Sequence, residues 1–227
     1  MSYSNVNFDF NRTSLTGIPE VILAEPKTIE QLMEVLKVST TKSEKLLITR
    51  VQNEQIDTIQ ELTNSLGWEL ESDNFERTFI VAKNPPKPTQ ENIRVAVISA
   101  GSSDQYVVEE IRLTFKYFGV NIAVYTDSGV AGLYRHQKIL EEIKQIKSIR
   151  ALIVVAGQDG ALFPVITAQT SLPVIAVPTE VGYGLGGRGI TALYTALQSC
   201  SPGIGVVNIG NGFGAASLVY KMLKACE

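Results

Sequence analysis

The sequence predicts an α/β protein in which a three-layer, doubly wound parallel sheet follows a small N-terminal α/β unit. Two observations predict the sheet. Short apolar runs rich in β-branched residues recur through the second half of the chain, and segments with helical periodicity separate them. A third observation, a proline-rich stretch at residues 84–92, sets this region apart from the residues before it.

The predicted strands of the larger region are short and continuous rather than alternating, which is typical of strands buried on both faces of a parallel sheet. They occupy residues 94–99, 121–125, 151–155, 173–177 and 203–207. The helical patterns fill the intervals, at residues 104–118, 133–146, 161–169, 190–198 and 213–223. Five alternations of strand and helix predict helices on both faces of one sheet.

The N-terminal region predicts fewer elements. A helix is expected at residues 28–36, with Thr28 as its N-cap and Gln31 closing a capping box. The remaining predictions are strands at residues 46–51 and 79–83 and a helix at residues 56–66.

The segment NPPKPTQEN at residues 84–92 holds three prolines and almost no apolar side chain. It therefore cannot join a core or a regular hydrogen-bonded ladder. We assign residues 1–84 to a small α/β domain, residues 85–92 to a linker and residues 93–227 to the larger domain.

Composition excludes several classes of protein. The chain is 44% hydrophobic and 19% charged with a net charge of -3, and it has no Lys/Arg block, so no nucleic-acid footprint is expected. Two cysteines do not make a disulfide framework. Neither a signal-peptide pattern nor a membrane-length apolar run is present, so we expect a cytoplasmic protein with reduced thiols.

Ligands of open parallel sheets bind at the carboxyl ends of the strands. All five predicted strand exits are rich in Gly, Ser, Asp or Asn; they are residues 99–104, 126–132, 156–160, 178–189 and 208–212. A single such loop is explained by the needs of a turn and a helix cap. Five together line one edge with N–H groups, hydroxyls and carboxylates beside helix N-termini, so we expect a phosphate-bearing small molecule there.

Residues 182–189 hold five glycines, and Gly184, Gly186 and Gly189 match the Gly-x-Gly-x-x-Gly spacing of dinucleotide-binding folds. In those folds the motif lies in the first strand-to-helix turn, with an acidic residue at the end of the next strand. Here the motif follows the fourth predicted strand, and the next strand ends at Asn208. A dehydrogenase is therefore disfavoured, and a loop whose backbone approaches a ligand closely is favoured.

Three carboxylates, those of Asp104, Asp127 and Asp159, lie in strand exits. Each is a candidate N-cap, general base or Mg²⁺ ligand, and taken singly each is best explained as a cap. The single histidine, His136, is expected at a solvated surface, and one histidine excludes a multi-histidine metal site.

Cys200 follows the helix predicted at residues 190–198 and precedes the fifth strand. A free cysteine at a helix end is most often a small buried apolar residue, and the negative end of the helix dipole disfavours a thiolate. The position also lies at the edge of the sheet opposite the glycine loops of the same subunit. The residues alone leave open whether Cys200 is catalytic.

The strand exits resemble those of a known family. The segments SAGSSD (99–104), TDSGVAGLYR (126–135), VVAGQDGALFPVI (154–166), VIAVPTEVGYG (174–184) and SCSPGIGVVNIGNGFGAA (199–216) are similar to those of LarB enzymes. NRTSLTGIPEV (11–21) resembles the N-terminal motif of that family. LarB proteins are related to the aminoimidazole ribonucleotide (AIR) carboxylases and mutases of purine synthesis. The resemblance covers nearly the whole chain and implies a PurE-like or flavodoxin-like fold.

LarB enzymes are pyridinium-3,5-biscarboxylic acid mononucleotide synthases of nickel-pincer cofactor biosynthesis. The resemblance implies a carboxylase and hydrolase that uses nicotinic acid adenine dinucleotide (NaAD) and CO₂ and releases AMP. It implies that Cys200 is the nucleophile and that Asp159 stands in the place of the family's catalytic Glu, with Asp104 a further catalytic candidate. A homo-octamer with sites at subunit junctions is also implied.

The residues expected to bind substrate all lie at the predicted ligand edge. They are Gly101, Ser102, Ser103, Asp127, Gly157, Thr179, Gly182, Tyr183, Gly184, Gly186, Asn208 and Asn211. No tightly bound organic cofactor is expected, and Asp104 or Asp127 is the candidate ligand for Mg²⁺.

The chain departs from the family pattern at the same edge. Tyr134 stands where many members have His, Gly210 where Asp is usual, and Glu180 where a small residue is usual; Leu15 replaces an Arg in the N-terminal motif. Two alternatives therefore stay open: an AIR carboxylase or mutase, whose chemistry needs no thiol, and a diverged nucleotide-binding or regulatory protein.

Overall fold

The computed structural model describes residues 6–87 and 92–226, apart from the side chain of Leu133. The chain divides into two compact units, Met1–Lys87 and Pro88–Glu227. Residues 88–91 of the predicted linker lie outside the described residues.

The N-terminal unit is a four-stranded sheet with order β1-β2-β4-β3, in which β1 runs parallel to β2 and the other pairs are antiparallel. Its strands are β1 (Ile22–Leu23), β2 (Lys45–Thr49), β3 (Glu69–Ser72) and β4 (Phe79–Ala82), and its helices are α1 (Arg12–Thr16), α2 (Ile29–Ser39) and α3 (Ile56–Leu66). Thr28 caps α2 and forms the predicted capping box with Gln31. Leu32 and Leu36 of α2 pack with Ile59 of α3 in the core of this unit.

Three elements of the N-terminal unit have no counterpart in the prediction, and each has a weak sequence signal. Helix α1 buries none of its residues, so it carries no apolar periodicity. Strand β1 has only two residues, and β3 is a polar edge strand with the sequence ELES. The position of each element follows from the strand or turn that it contacts and not from its own sequence pattern.

The C-terminal unit is a five-stranded, fully parallel sheet with order β6-β5-β7-β8-β9. Its strands are β5 (Val95–Ser99), β6 (Ile122–Tyr125), β7 (Ala151–Ala156), β8 (Val174–Pro178) and β9 (Ile204–Val206). Its helices are α4 (Gln105–Phe118), α5 (Leu133–Gln145), α6 (Leu162–Thr167), α7 (Ile190–Leu197) and α8 (Gly212–Ala225). The strand order is that of flavodoxin-like folds, and it reverses between β5 and β7.

Helices cover both faces of this sheet, as predicted. Val95 and Val97 of β5 face α4 and α8, whose buried residues include Ile111 and Val219. The alternate residues face α5, α6 and α7, and Phe163 lies at the centre of that second cluster. Because every central strand is buried on both faces, its residues form a continuous apolar run rather than an alternating one.

The predicted element boundaries differ from the observed ones mostly by one or two residues, and the backbone explains one such difference. Gly203 has a left-handed φ of 101°, which places it outside the extended strand, so β9 begins at Ile204 rather than at residue 203. Within residues 6–87 and 92–226, none of the helices has both the length and the apolar character needed to cross a bilayer.

Candidate functional site

The parallel pairing of β5 to β9 brings all five glycine- and polar-rich loops to one edge of the sheet. We call this the carboxyl edge; it comprises residues 99–104, 126–132, 156–160, 178–189 and 208–212. Backbone hydrogen bonds join neighbouring loops: Ser128 N–H to Ser99 O (2.9 Å), Gln158 N–H to Val181 O (2.6 Å) and Gly210 N–H to Pro178 O (2.8 Å). The loops therefore form one connected surface rather than five separate turns.

The Asp104 carboxylate connects three of these loops. Its Oδ1 accepts a hydrogen bond from Thr179 Oγ1 at 2.6 Å, and its Oδ2 accepts one from Gly101 N–H at 2.9 Å. The backbone N–H of Gly157 also donates to this carboxylate. Asp104 is 2% exposed, and this burial raises the pKa of its carboxyl group while the three hydrogen bonds oppose that shift.

This arrangement gives Asp104 a structural role beside the catalytic or Mg²⁺-binding role expected of it. Each carboxylate oxygen accepts a hydrogen bond from the chain itself, so the side chain holds neighbouring loops in position. The N–H groups of Gly101 and Gly157 donate to this carboxylate rather than to a phosphate. A Cβ added to Gly157 would lie 2.6 Å from Thr179 Oγ1, so loop packing explains why glycine stands there.

The loop at residues 182–189 contains glycines of two kinds. Gly189, with φ of 88°, is buried, and an added Cβ would lie 2.5 Å from Thr179 O, so it packs against the stem of the loop. Gly184, with φ of 61°, has no atom within 4 Å of an added Cβ, and Gly186 has its nearest atom at 3.9 Å. The backbone is thus open to a ligand around Gly184, where Tyr183 and Leu185 are strongly exposed.

Asp159 and Asp127 are exposed at the carboxyl edge. Asp159 Oδ1 accepts a hydrogen bond from Ala161 N–H at 3.2 Å, in the turn that precedes α6. Asp127 lies 3.4 Å from Arg135. The pKa of Arg135 is raised first by the hydrogen bond that its guanidinium group donates to the Tyr134 side chain and then by the charge of Asp127. Asp159 keeps one carboxylate oxygen without a chain donor, as a proton-transfer group requires.

The remaining predicted binding residues divide between exposed groups and caps. Ser102 and Ser103 are exposed directly after β5. Asn211 Oδ1 accepts a hydrogen bond from Gly214 N–H at 2.8 Å and so caps α8. Asn208 is exposed, and its Oδ1 accepts the N–H of Ile209 at 2.9 Å. Within the described ranges, no three His, Cys, Asp or Glu side chains gather as an all-protein metal site would require.

Cys200 is exposed and therefore does not occupy the buried apolar environment that is commonest for a free cysteine. It lies between α7 and β9, at the amino ends of the strands, with its loop held by the Ser201 hydroxyl, which donates to Pro164 O at 3.2 Å. A five-residue strand spans about 17 Å. Cys200 and the carboxyl edge of the same chain therefore lie at opposite ends of the strands.

Two polar groups near the carboxyl edge are buried although the sequence did not predict their burial. Ser99 Oγ and His136 Nδ1 are buried and have no hydrogen-bond partner among the described residues. The prediction that His136 lies at a solvated surface is wrong, because it is 1% exposed. Its spacing of four and seven residues from the buried Leu140 and Ile143 places it on the inner face of α5, and that spacing was the available signal.

Comparisons with known proteins agree with this architecture. The chain matches the AIR carboxylase family over residues 94–227 and the LarB/PurE-like N-terminal domain family over residues 2–78. It is 35% identical over 222 residues to an uncharacterized protein of Methanocaldococcus jannaschii, covering 96% of this chain and 85% of that one.

Two further comparisons each cover somewhat more than half of this chain. The N5-carboxyaminoimidazole ribonucleotide mutase of M. jannaschii is 31% identical over 131 residues, covering 57% of this chain and 78% of the mutase. A crystal structure of a Treponema denticola PurE2 variant aligns with a TM-score of 0.42 at 18% identity, covering 59% of this chain and 92% of that one.

We predict that Asp104→Asn lowers the free energy of unfolding by about 1–3 kcal/mol, because an amide nitrogen cannot accept the hydrogen bonds made to the carboxylate. The raised pKa means that the folded protein holds the Asp104 proton to a higher pH than the unfolded chain does. Stability from this group is therefore fully present below pH about 4 and is lost as pH rises through the folded-state pKa. Urea unfolding of both proteins at several pH values measures the gap between them, and a gap that widens with pH would contradict the assignment.

We predict unequal losses of stability at Gly184 and Gly189, two glycines that share a left-handed backbone. Gly189→Ala is expected to cost more than about 2 kcal/mol, because strain at φ of 88° adds to a clash with Thr179 O. A Cβ at position 184 would have no atom within 4 Å, so Gly184→Ala should lose only the backbone strain of about 1–2 kcal/mol in stability. Thermal unfolding of the two variants compares them directly, and equal losses would show that packing at Gly189 contributes nothing.

Proposed function

The chain belongs to the AIR carboxylase family and carries a LarB/PurE-like N-terminal domain, and from this premise we propose that it is a LarB-type carboxylase and hydrolase acting on NaAD and CO₂. The solvent exposure of Cys200 carries the proposal, because a nucleophile must be able to reach its substrate. The connected carboxyl edge, with open backbone around Gly184, supports binding of the diphosphate-bearing part of the substrate.

The proposed reaction begins with addition of the Cys200 thiolate to an electrophilic carbon of the pyridinium ring. The new C–S bond neutralises the ring nitrogen and gives an enamine-like ring whose carbon attacks CO₂. Loss of the proton from that carbon and departure of the thiolate then restore the aromatic ring. Water cleaves the phosphoanhydride in a separate step, which releases AMP and leaves a dicarboxylated mononucleotide.

Asp159 is proposed to accept the ring proton. Its carboxylate is exposed at the carboxyl edge and is held at one oxygen only, by Ala161 N–H. It is an aspartate where the family resemblance places a glutamate, so its reach is shorter by one methylene.

The site is proposed to form between copies of the chain, since one subunit keeps Cys200 and the carboxyl edge apart. The glycine loop and the outward face of α7 expose large apolar side chains: Tyr183, Leu185, Ile190, Tyr194 and Leu197. Such a surface is typical of a protein interface. Contact through it with a second copy would cover these side chains and would allow Cys200 of one subunit to meet the carboxyl edge of another.

A mutase acting on a carboxylated aminoimidazole ribonucleotide is the second candidate, and the 31% identity of the chain over 131 residues to a mutase of that kind favours it. This chemistry needs no thiol. Loss of Cys200 therefore separates the two functions.

We predict that the wild-type protein converts NaAD and bicarbonate to AMP and a dicarboxylated mononucleotide, and that Cys200→Ala forms no dicarboxylated product. Mass spectrometry of both products measures the two half-reactions. Cys226→Ala is the matched control, because Cys226 is equally exposed but lies at the end of α8, and this variant should retain wild-type turnover. Equal product from Cys200→Ala, or turnover of carboxylated aminoimidazole ribonucleotide by that variant, would remove the proposal.

We predict that two inactive variants restore activity when they are mixed. Cys200→Ala lacks the nucleophile and Asp159→Asn lacks the proton acceptor, and in a mixed oligomer some junctions combine an intact Cys200 with an intact Asp159. Activity after unfolding and refolding the mixture, compared with each variant treated alone, should rise toward a quarter of wild type. If the mixture stays as inactive as its components, Cys200 and Asp159 act within one subunit and the shared site is refuted.

A further inference from the structure

One cation stands among the residues of the carboxyl edge. Its five loops contain four carboxylates, those of Asp104, Asp127, Asp159 and Glu180, and a single basic residue, Arg188. Nearby Arg135, in the first turn of α5, is already paired with Asp127 at 3.4 Å. The Arg188 side chain is exposed and makes no ion pair or hydrogen bond within residues 6–87 and 92–226.

The backbone of Arg188 is held in a conformation that arginine disfavours. Its φ is 46°, in the left-handed region, and it lies between two glycines that share this region, Gly187 at 41° and Gly189 at 88°. This conformation is sterically strained for a residue with a Cβ, whereas glycine adopts it without strain. Non-glycine residues in such conformations cluster at functional sites, where the surrounding structure fixes them.

The structure shows what fixes this segment. Gly189 is buried against Thr179 O, and Thr179 donates its hydroxyl hydrogen bond to Asp104. The residue that follows Arg188 is therefore anchored to the junction of three strand exits. A fixed backbone with a free guanidinium group presents a charge at a defined place on the edge.

We propose that Arg188 is a specificity-determining residue that binds an oxyanion of the substrate, from either the diphosphate or the nicotinate carboxylate. The inference rests on the proposed function and assigns a recognition role within it. Arginine suits both groups, because its planar fork donates two parallel hydrogen bonds to a carboxylate or a phosphate. It also supplies the positive charge that an edge with four carboxylates otherwise lacks.

Calorimetric titration of NaAD into wild type, Arg188→Gln and Arg188→Lys tests the proposal. Loss of a charge-assisted pair should raise the Kd for Arg188→Gln by roughly 10- to 100-fold, and the lysine variant should fall between the two because it keeps the charge but loses the fork. Nicotinamide adenine dinucleotide, which lacks the carboxylate, separates the two oxyanions. A loss shared by both dinucleotides assigns Arg188 to the diphosphate, and a loss confined to NaAD assigns it to the carboxylate. Lys221→Gln, which removes an exposed charge on α8, is the control and should keep the wild-type Kd.

Arg188→Gly gives an independent test that measures both Tm and affinity. Removal of a surface charge without function would not change the two together in the same way. Glycine relieves the left-handed strain, so the Tm should rise by about 2 °C while affinity falls as far as in Arg188→Gln. Wild-type Kd values in both variants, or a change in oligomeric state with affinity unchanged, would overturn the inference.

The same measurements keep this inference separate from the proposed function. If wild type does not turn over NaAD but binds inorganic pyrophosphate in an Arg188-dependent way, the proposed reaction fails and the recognition role stands. If wild type turns over NaAD and the Arg188 variants match its KM, the reaction stands and the recognition role fails.

Discussion

The hydrogen bonds of the Asp104 carboxylate are the constraint on which the carboxyl edge depends. Five parallel strands deliver five loops to this edge, but strand pairing ends before the loops begin. The carboxylate joins the exits of β5, β7 and β8 through Gly101, Gly157 and Thr179, at the point where the strand order reverses. Three donors offset part of the cost of burying the carboxyl group, and the loops gain fixed positions relative to one another.

This constraint explains why glycine is so frequent at the edge without every glycine serving a ligand. Gly157 and Gly189 stand where neighbouring loops approach too closely for a side chain. Gly184 instead opens the backbone at the far end of its loop, where no atom lies near an added Cβ. Glycines near Thr179 therefore hold the loop in place, and those beyond it leave room for a ligand.

The sequence predicted the parallel sheet because burial on both faces leaves a direct trace, the continuous apolar runs of β5, β7 and β8. It predicted that the glycine- and polar-rich loops meet at one edge because that meeting follows from the parallel topology alone. It could not assign Asp104, since an N-cap, a general base and a buried link between loops all require the same residue after a strand. It placed His136 wrongly because the polar neighbours of that residue outweighed its spacing from Leu140.

The separation of Cys200 from the carboxyl edge limits how a single active site can contain both features. The strands between them cannot shorten, and the loop of Cys200 is tied to α6 through Pro164, so no local movement within the subunit closes the gap. An exposed thiol and an open glycine loop can therefore share one substrate only across a subunit boundary. The apolar side chains on α7 and the glycine loop lie between these two features in the sequence, where such a boundary needs them. On this argument, assembly and catalysis in the proposed enzyme are one property, and substitutions that separate subunits remove activity even when each folded subunit is intact.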